Sequence, residues 1–196
     1  MMRRQRGIVL LIAMVAAVAL AFAGAALVRA VSAGVAIGGN LAVRQQAVLA
    51  ASAALEQAVA TLFDAGAVET TADDVARNYF ATRQGGEDRR GVPAALQALA
   101  GYPPEAAVID AGDGYAARHV IERLCLLPGD ASIVHCTLTP PSVAAAAGAV
   151  PAGEPPRIPC FRVTVRVDGP AGAASFVQGM LSATPNHRLS WRVLDE

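Results

Sequence analysis

Lysine is absent from this chain: all 16 of its basic residues are arginine, matched by 16 Asp and Glu. A chain without net charge or basic excess has no electrostatic footprint for a polyanion, so no nucleic acid is expected as a partner. Aromatic residues are scarce, at 5%, although 54% of the chain is hydrophobic. The apolar excess is therefore aliphatic, mostly alanine, and concentrated toward the N-terminus. Cysteine is limited to Cys125, Cys136 and Cys160, whose spacing fits no zinc site. His119, His135 and His187 are scattered and read as surface or strand-edge residues, with no GxSxG, HExxH, Walker or dinucleotide fingerprint nearby. These absences predict a non-enzymatic protein without cofactor or metal. Asp110-Ala111-Gly112-Asp113-Gly114 offers too few oxygen ligands to be preferred as a calcium loop over a plain turn.

Formal charge is also missing from Ile8 to Val28, a run of 21 residues. At about 1.5 Å per residue this run makes a helix of roughly 30 Å, the thickness of a bilayer's hydrocarbon core. Arg3, Arg4 and Arg6 precede it and only Arg29 follows closely, which places the N-terminus in the cytoplasm and the remainder outside. A cleaved secretory signal is the competing reading, since Ala21-Phe22-Ala23 has the small-x-small pattern. Against it, apolar character continues to Leu27-Val28, and no helix breaker or polar stretch comes before Ala23.

Helical periodicity continues beyond the uncharged run. Leu41, Val48, Leu55, Val59 and Leu62 recur at spacings of seven, seven, four and three, with Ala47, Ala51, Ala54 and Ala58 between them. Arg44, Gln45, Glu56 and Gln57 occupy the other face, and Asp64-Ala65-Gly66 supplies a stop. An amphipathic helix is thus expected over residues 29–64. Gly34 and Gly38-Gly39 each cost about 1 kcal/mol relative to alanine, which predicts a bend or unwound turn near 34–40; two helices joined by a loop there is the alternative.

Residues 65–196 read as a small α+β domain. Asp73 to Phe80 and Pro93 to Ala100 are candidate short helices among turn signals. Tyr115 to Leu127 and Ile133 to Leu138 flank Pro128-Gly129-Asp130 and suggest a hairpin. Phe161, Val163, Val165 and Val167 alternate with Arg162, Thr164 and Arg166, the clearest half-buried strand in the chain. Ser175 to Ala183 and His187 to Leu194 would complete a meander, and 139–159 is a low-complexity loop. Packing this sheet on the helix would bury Val48, Leu55, Val59 and Leu62 under Val163, Val165 and Trp191. All three cysteines lie in the exported portion, where oxidation is permitted. Cys125 and Cys136 flank the proposed turn and can face each other, but Cys160 competes for either, so all three disulfide pairings stay open.

Several stretches carry a resemblance. The basic leader ending in Gly7, the uncharged run from Ile8, then Gly39-Asn40-Leu41-Ala42-Val43-Arg44 and Ala47-Val48-Leu49-Ala50-Ala51-Ser52-Ala53-Ala54-Leu55 resemble the N-terminal region of PilX-type minor pilins of type IV pili. Phe161 to Gly169 is similar to a strand-and-turn segment of the same family. The resemblance covers about residues 3 to 63 and is related to that of GspK-like minor pseudopilins. It implies a pilin-like α+β fold: a long N-terminal helix, half membrane-spanning and half amphipathic, packed on a small antiparallel sheet. It implies a leader of residues 1–7, a transmembrane or filament-core helix over 8–28, cleavage by a prepilin peptidase between Gly7 and Ile8, and N-methylation of Ile8. The fifth mature position, where major pilins carry Glu, is Ile12 here, which suits a pilus tip better than a repeated place in the shaft. The implied role is to prime pilus assembly, in a pilus whose use, whether twitching motility, cell adhesion or DNA uptake, stays open. The implied partners are other minor pilins and the major pilin through the N-terminal helix, a PilY-type tip adhesin and the prepilin peptidase. The location would be the inner membrane before assembly and the extracellular pilus afterwards. Two alternatives remain: a type II secretion pseudopilin, and a single-span envelope protein with a periplasmic binding domain.

Overall fold

The computed structural model describes residues 6–139, 158–182 and 188–194. Residues 1–5 of the expected leader, most of the low-complexity loop, Ala183 and His187 lie outside the described residues. The chain divides into two compact units, at Arg44/Gln45. Helix α1, Arg6–Phe63, is 58 residues long and contributes to both.

The backbone of α1 stays helical through Gly34, Gly38 and Gly39, against the unwound turn or break expected there. Helix propagation is cooperative once nucleated, and no proline interrupts the intrahelical hydrogen bonds, so an order of 1 kcal/mol per glycine does not open a turn. The helix ends at Phe63, and Gly66 follows in the left-handed region with φ +84°. The Asp64-Ala65-Gly66 stop therefore lies where the chain turns off the helix.

The second unit is a helix-on-sheet domain. Its strands are β1 (Tyr79–Phe80), β2 (Val108–Asp110), β3 (Ala116–Arg123), β4 (Cys160–Asp168), β5 (Ala174–Ser182) and β6 (Arg188–Val193). The order is β1-β3-β4-β5-β6, with β2 also pairing β3. The β2–β3, β3–β4, β4–β5 and β5–β6 pairs are antiparallel, but β1 runs parallel to β3, so the sheet is mixed rather than antiparallel throughout.

Two other expectations change. The span Asp73 to Phe80 is not a helix: only Val75–Arg77 forms a 3₁₀ turn, capped by the Asp74 side chain and ended by Asn78 at φ 61°, and the next two residues enter β1. The arms around Pro128-Gly129-Asp130 do not form the expected two-stranded ladder: they meet only at the antiparallel Cys125–Cys136 bridge, with Leu126 N–H donating to His135 O and Thr137 N–H to Leu124 O, and Leu138 makes a further isolated bridge with Pro159. Strand β3 already has β4 along one edge and β1 with β2 along the other, so no ladder is left for a following strand. The turn into β3 is instead Asp110 to Tyr115, where Gly112, Asp113 and Gly114 all have positive φ. At Pro93 to Ala100 the chain forms a short helix, α2 (Ala94–Gln97), followed by a 3₁₀ turn from Leu99 to Gly101.

The helical face on the sheet is built from small residues. Ala47, Ala50, Ala51, Ala54 and Ala58 are buried with Leu55 and Leu62 against Tyr79, Ile121, Phe161, Val163, Val165, Val177 and Leu181. Alanine brings the helix backbone close, and the sheet's larger side chains fill the interface. The tightest approach is at Gly179 in β5, where a Cβ would lie 2.8 Å from Leu55 Cδ2. Leu55 thus occupies the space left by a missing side chain in an interior strand. Trp191, opposite Gly179 in the ladder, does not cover the helical stripe as expected: β6 is the edge strand and Trp191 is 53% exposed.

Truncating Leu55 to alanine is expected to lower the unfolding free energy by about 2–5 kcal/mol. Gly179→Ala should cost about 1–3 kcal/mol through overpacking. The double variant should lose less than the sum of the two, because removing the Leu55 methyls removes what the new Cβ meets. Denaturant titrations of the full chain in detergent micelles measure this coupling, and strict additivity would place Leu55 away from Gly179.

Candidate functional site

The sequence points to the first half of α1, and its geometry there is simple. Every residue from Ile8 to Arg44 is exposed, including Ile8 at 62% and Ile12 at 60%. Gly7 lies in the helix directly before Ile8. Its part from Ile8 to Val28 is apolar on all sides rather than on one stripe, which is the pattern of a helix surrounded by lipid or by other apolar helices. It is long and apolar enough to cross a membrane.

The sheet domain carries a second feature, buried charge on the sheet face away from the helix. Arg162 and Glu122 are opposite one another in the β3–β4 ladder, and Arg162 Nε donates to Glu122 Oε2 at 2.9 Å. Glu122 is fully buried and also accepts the Gln84 N–H at 2.6 Å. Arg162 Nη2 reaches Glu87 Oε1 at 2.6 Å, and Arg83 Nε donates to the same oxygen at 2.9 Å. The Arg83 and Arg162 hydrogen bonds hold the Glu87 carboxyl down to about 2, whereas burial pushes Glu122 up against the pull of Arg162. Arg123, buried on the opposite, helix-side face with the parity of Ile121 and facing Phe161 in the ladder, donates to Ala81 O at 3.0 Å and Gly129 O at 2.6 Å. Each of these ions ties a connecting segment onto the sheet.

The cysteines sit beside this network. Cys125 and Cys136 form a disulfide, while Cys160, at the start of β4, is buried and free. The loop they close exposes Leu126, Leu127, Ile133 and Val134. A cavity of about 450 Å³ lies between it and the sheet, lined by Arg83, His135, Arg162 and Met180 among others, but both arginines there are already matched by Glu87 and Glu122.

His119 is not at the surface as the sequence reading has it. It is 1% exposed and lies 3.2 Å from the Asn78 amide nitrogen, while His135 is exposed. The Asp110 carboxylate accepts the Gly112 N–H at 2.9 Å and so closes the turn itself. Among the described residues no three His, Cys, Asp or Glu side chains converge as metal ligands. The ionic network, Arg123 and the buried His119 escape a reading by sequence; strict alternation in β4 marked Arg162 correctly as facing away from the helix, but could not show that this second face is also covered.

Comparison of the chain with protein-family models, with curated proteins and with solved structures finds no match. The functional reading therefore rests on the residues and the geometry above.

Burial lowers the His119 imidazole to about 4. Between that value and the ordinary one near 6.5, the unfolded chain binds a proton that the folded chain does not. The His119 contribution is intact above about pH 6.5 and is lost as pH falls toward 4, by at most about 1.4 kcal/mol per unit. Urea titrations at several pH values should show this slope in the wild type and a shallower one in His119→Gln; equal slopes would assign the acid sensitivity elsewhere. Separately, Cys136→Ala opens a loop with a sequence separation of 11 and is expected to cost about 2–3 kcal/mol, measured as a lower denaturation midpoint that added reductant does not lower further.

Proposed function

We propose that this protein is a non-enzymatic minor pilin of the PilX type, held in the inner membrane by α1 and then drawn into a type IV pilus at or near its tip. The observation that carries this reading is the contrast along one continuous helix. Residues 8–28 are uncharged, apolar on all sides and exposed, whereas residues between Ala47 and Leu62 form part of the core of a sheet domain. A helix of the first kind needs lipid or neighbouring apolar helices. A subunit extracted from a bilayer into a helical filament core meets both surroundings in turn, while its domain stays folded on the second part of the same helix.

The residues at the start of the helix support the same reading. Gly7 presents a backbone with no side chain to obstruct a protease at the membrane face, so the prepilin peptidase cuts after it and leaves Ile8 as an N-methylated terminus. Ile12 brings no carboxylate to neutralise a neighbour's terminal ammonium in the low-dielectric filament core. The subunit therefore suits the tip, where it primes assembly with other minor pilins, contacts the major pilin below and presents its domain to a PilY-type adhesin.

N-terminal mass spectrometry of the protein from membranes and from sheared pili tests the proposal. The expected mature start is a methylated Ile8, in trace amount relative to the major pilin, and Gly7→Leu should abolish processing. A start at Gly24 would identify a secretory signal, and an uncut Met1 or Met2 a single-span envelope protein; either result overturns the assignment.

A further inference from the structure

The sheet ends on β6, whose outer edge has no partner strand among the described residues. Its register shows which main-chain groups that edge presents. Leu194 N–H donates to Phe176 O at 2.9 Å, while Val193 lies opposite Val177 and Trp191 opposite Gly179. Hydrogen-bonded and non-hydrogen-bonded pairs alternate along an antiparallel ladder. Phe176 and Leu194 being bonded, the Val177–Val193 and Gly179–Trp191 pairs are not, so the N–H and C=O groups of Trp191 and Val193 point away from β5. Trp191 is 53% exposed beside these groups.

The face opposite the helix has its own character along this edge. A cleft of about 580 Å³ there is lined by Arg89, Gly91, Arg192 and Val193 together with Glu87, Asp88 and Arg90. Its carboxylates are already engaged, Glu87 by Arg83 and Arg162 and Asp88 by Arg90. Arg192 reaches only the neutral Gln178 amide oxygen, at 3.0 Å. Neither Arg192 nor the exposed Arg89 has an ion-pair partner among the described residues.

We propose that β6 accepts an added strand from a different protein, one that alternates carboxylate side chains directed at Arg192 and Arg89 with apolar side chains that cover Trp191. Main-chain bonds to Trp191 and Val193 supply affinity and the alternating side chains supply choice of partner. Arg192 occupies a non-hydrogen-bonded site of the new ladder, where facing side chains are closest. A second copy of this chain is a poor occupant. Its β6 reads Arg-Leu-Ser-Trp-Arg-Val and would bring two more arginines and no carboxylate, so the same residues that attract an acidic strand protect the edge from self-association. Every group involved belongs to the sheet domain, and the inference stands apart from the pilin assignment.

Trp191 is the only tryptophan in the chain and reports on the edge directly. The full chain in detergent micelles is titrated with two peptides, one alternating valine with glutamate and one alternating valine with arginine. The glutamate peptide is expected to shift Trp191 emission to the blue and to slow amide exchange at Trp191 and Val193, leaving the already bonded Arg192 amide unchanged. The same peptide N-methylated at alternate residues should do neither. Arg192→Glu, confirmed as folded by its melting temperature, should reverse the preference between the two peptides by at least about tenfold. Equal response to both peptides, or response to neither, overturns the proposal. So does a concentration-dependent dimer that protects Trp191 and Val193 by itself, since it assigns the edge to a second copy.

Discussion

The close approach of α1 to the sheet, fixed where Leu55 meets Gly179, is the contact on which the domain depends. A helix face of alanines buries little area per side chain, so it contributes only if its backbone lies near the opposing surface. The sheet meets that requirement with bulk of its own, Phe161, Tyr79 and the valines of β4, and with a gap at Gly179 where the helix presents its one large central residue. Phe63 at the helix end stacks edge-on against Phe161, with ring centroids 6.0 Å apart. The size pattern is therefore reciprocal: small on the helix where the sheet is large, and absent on the sheet where the helix is large.

That reciprocity also bears on the rest of α1. A helix meant to be surrounded by lipid or by other helices gains from small residues, because they let neighbouring backbones approach. Ala47 to Ala58 continue the alanine-rich composition of the preceding segment, so one sequence style serves a face packed on a sheet and a surface open to other apolar partners. Only the polar positions change. Gln45, Glu56 and Gln57 appear where part of the helix faces water, and none occurs between Ile8 and Val28.

Much of this was legible in the sequence, for physical reasons that differ from element to element. The uncharged run, the stop at residues 64–66 and β4 are read from length and period, and neither signal needs tertiary context. The two-residue β1 and three-residue β2 are too short to show a period. The turn signal at Pro128-Gly129-Asp130 brings its two arms together only at the Cys125–Cys136 bridge, because β3 itself is paired along both edges and leaves no room for a longer ladder. Parity put Trp191 on the helix side of the sheet, but parity does not distinguish an edge strand from a central one. The cysteine spacing left three pairings open, and the structure joins Cys125 to Cys136. The burial of His119 is not legible, because histidine is intermediate between core and surface residues and its buried neighbour Asn78 is 41 residues away in the chain. That the N-terminal helix is long and apolar enough to cross a membrane was legible, since length and apolar surface follow from composition.

Buried charge behind the sheet follows from the nature of what covers it. Residues 81–107 have one short helix and little other regular structure, so their backbone groups need partners from elsewhere. The sheet supplies them. Glu122 accepts the Gln84 N–H, Arg166 donates to Leu96 O and Gln97 O, and Gln178 donates to Gly91 O. Replacing these side chains by apolar ones would avoid the cost of desolvating ions but would orphan the carbonyls and N–H groups they now satisfy, each at about 1–3 kcal/mol. Charge in the middle of this sheet is thus a substitute for missing secondary structure in its cover. The alternation along β4 separates an apolar interface from a hydrogen-bonding one, both buried, and polar residues at every second position of a strand do not by themselves mean solvent.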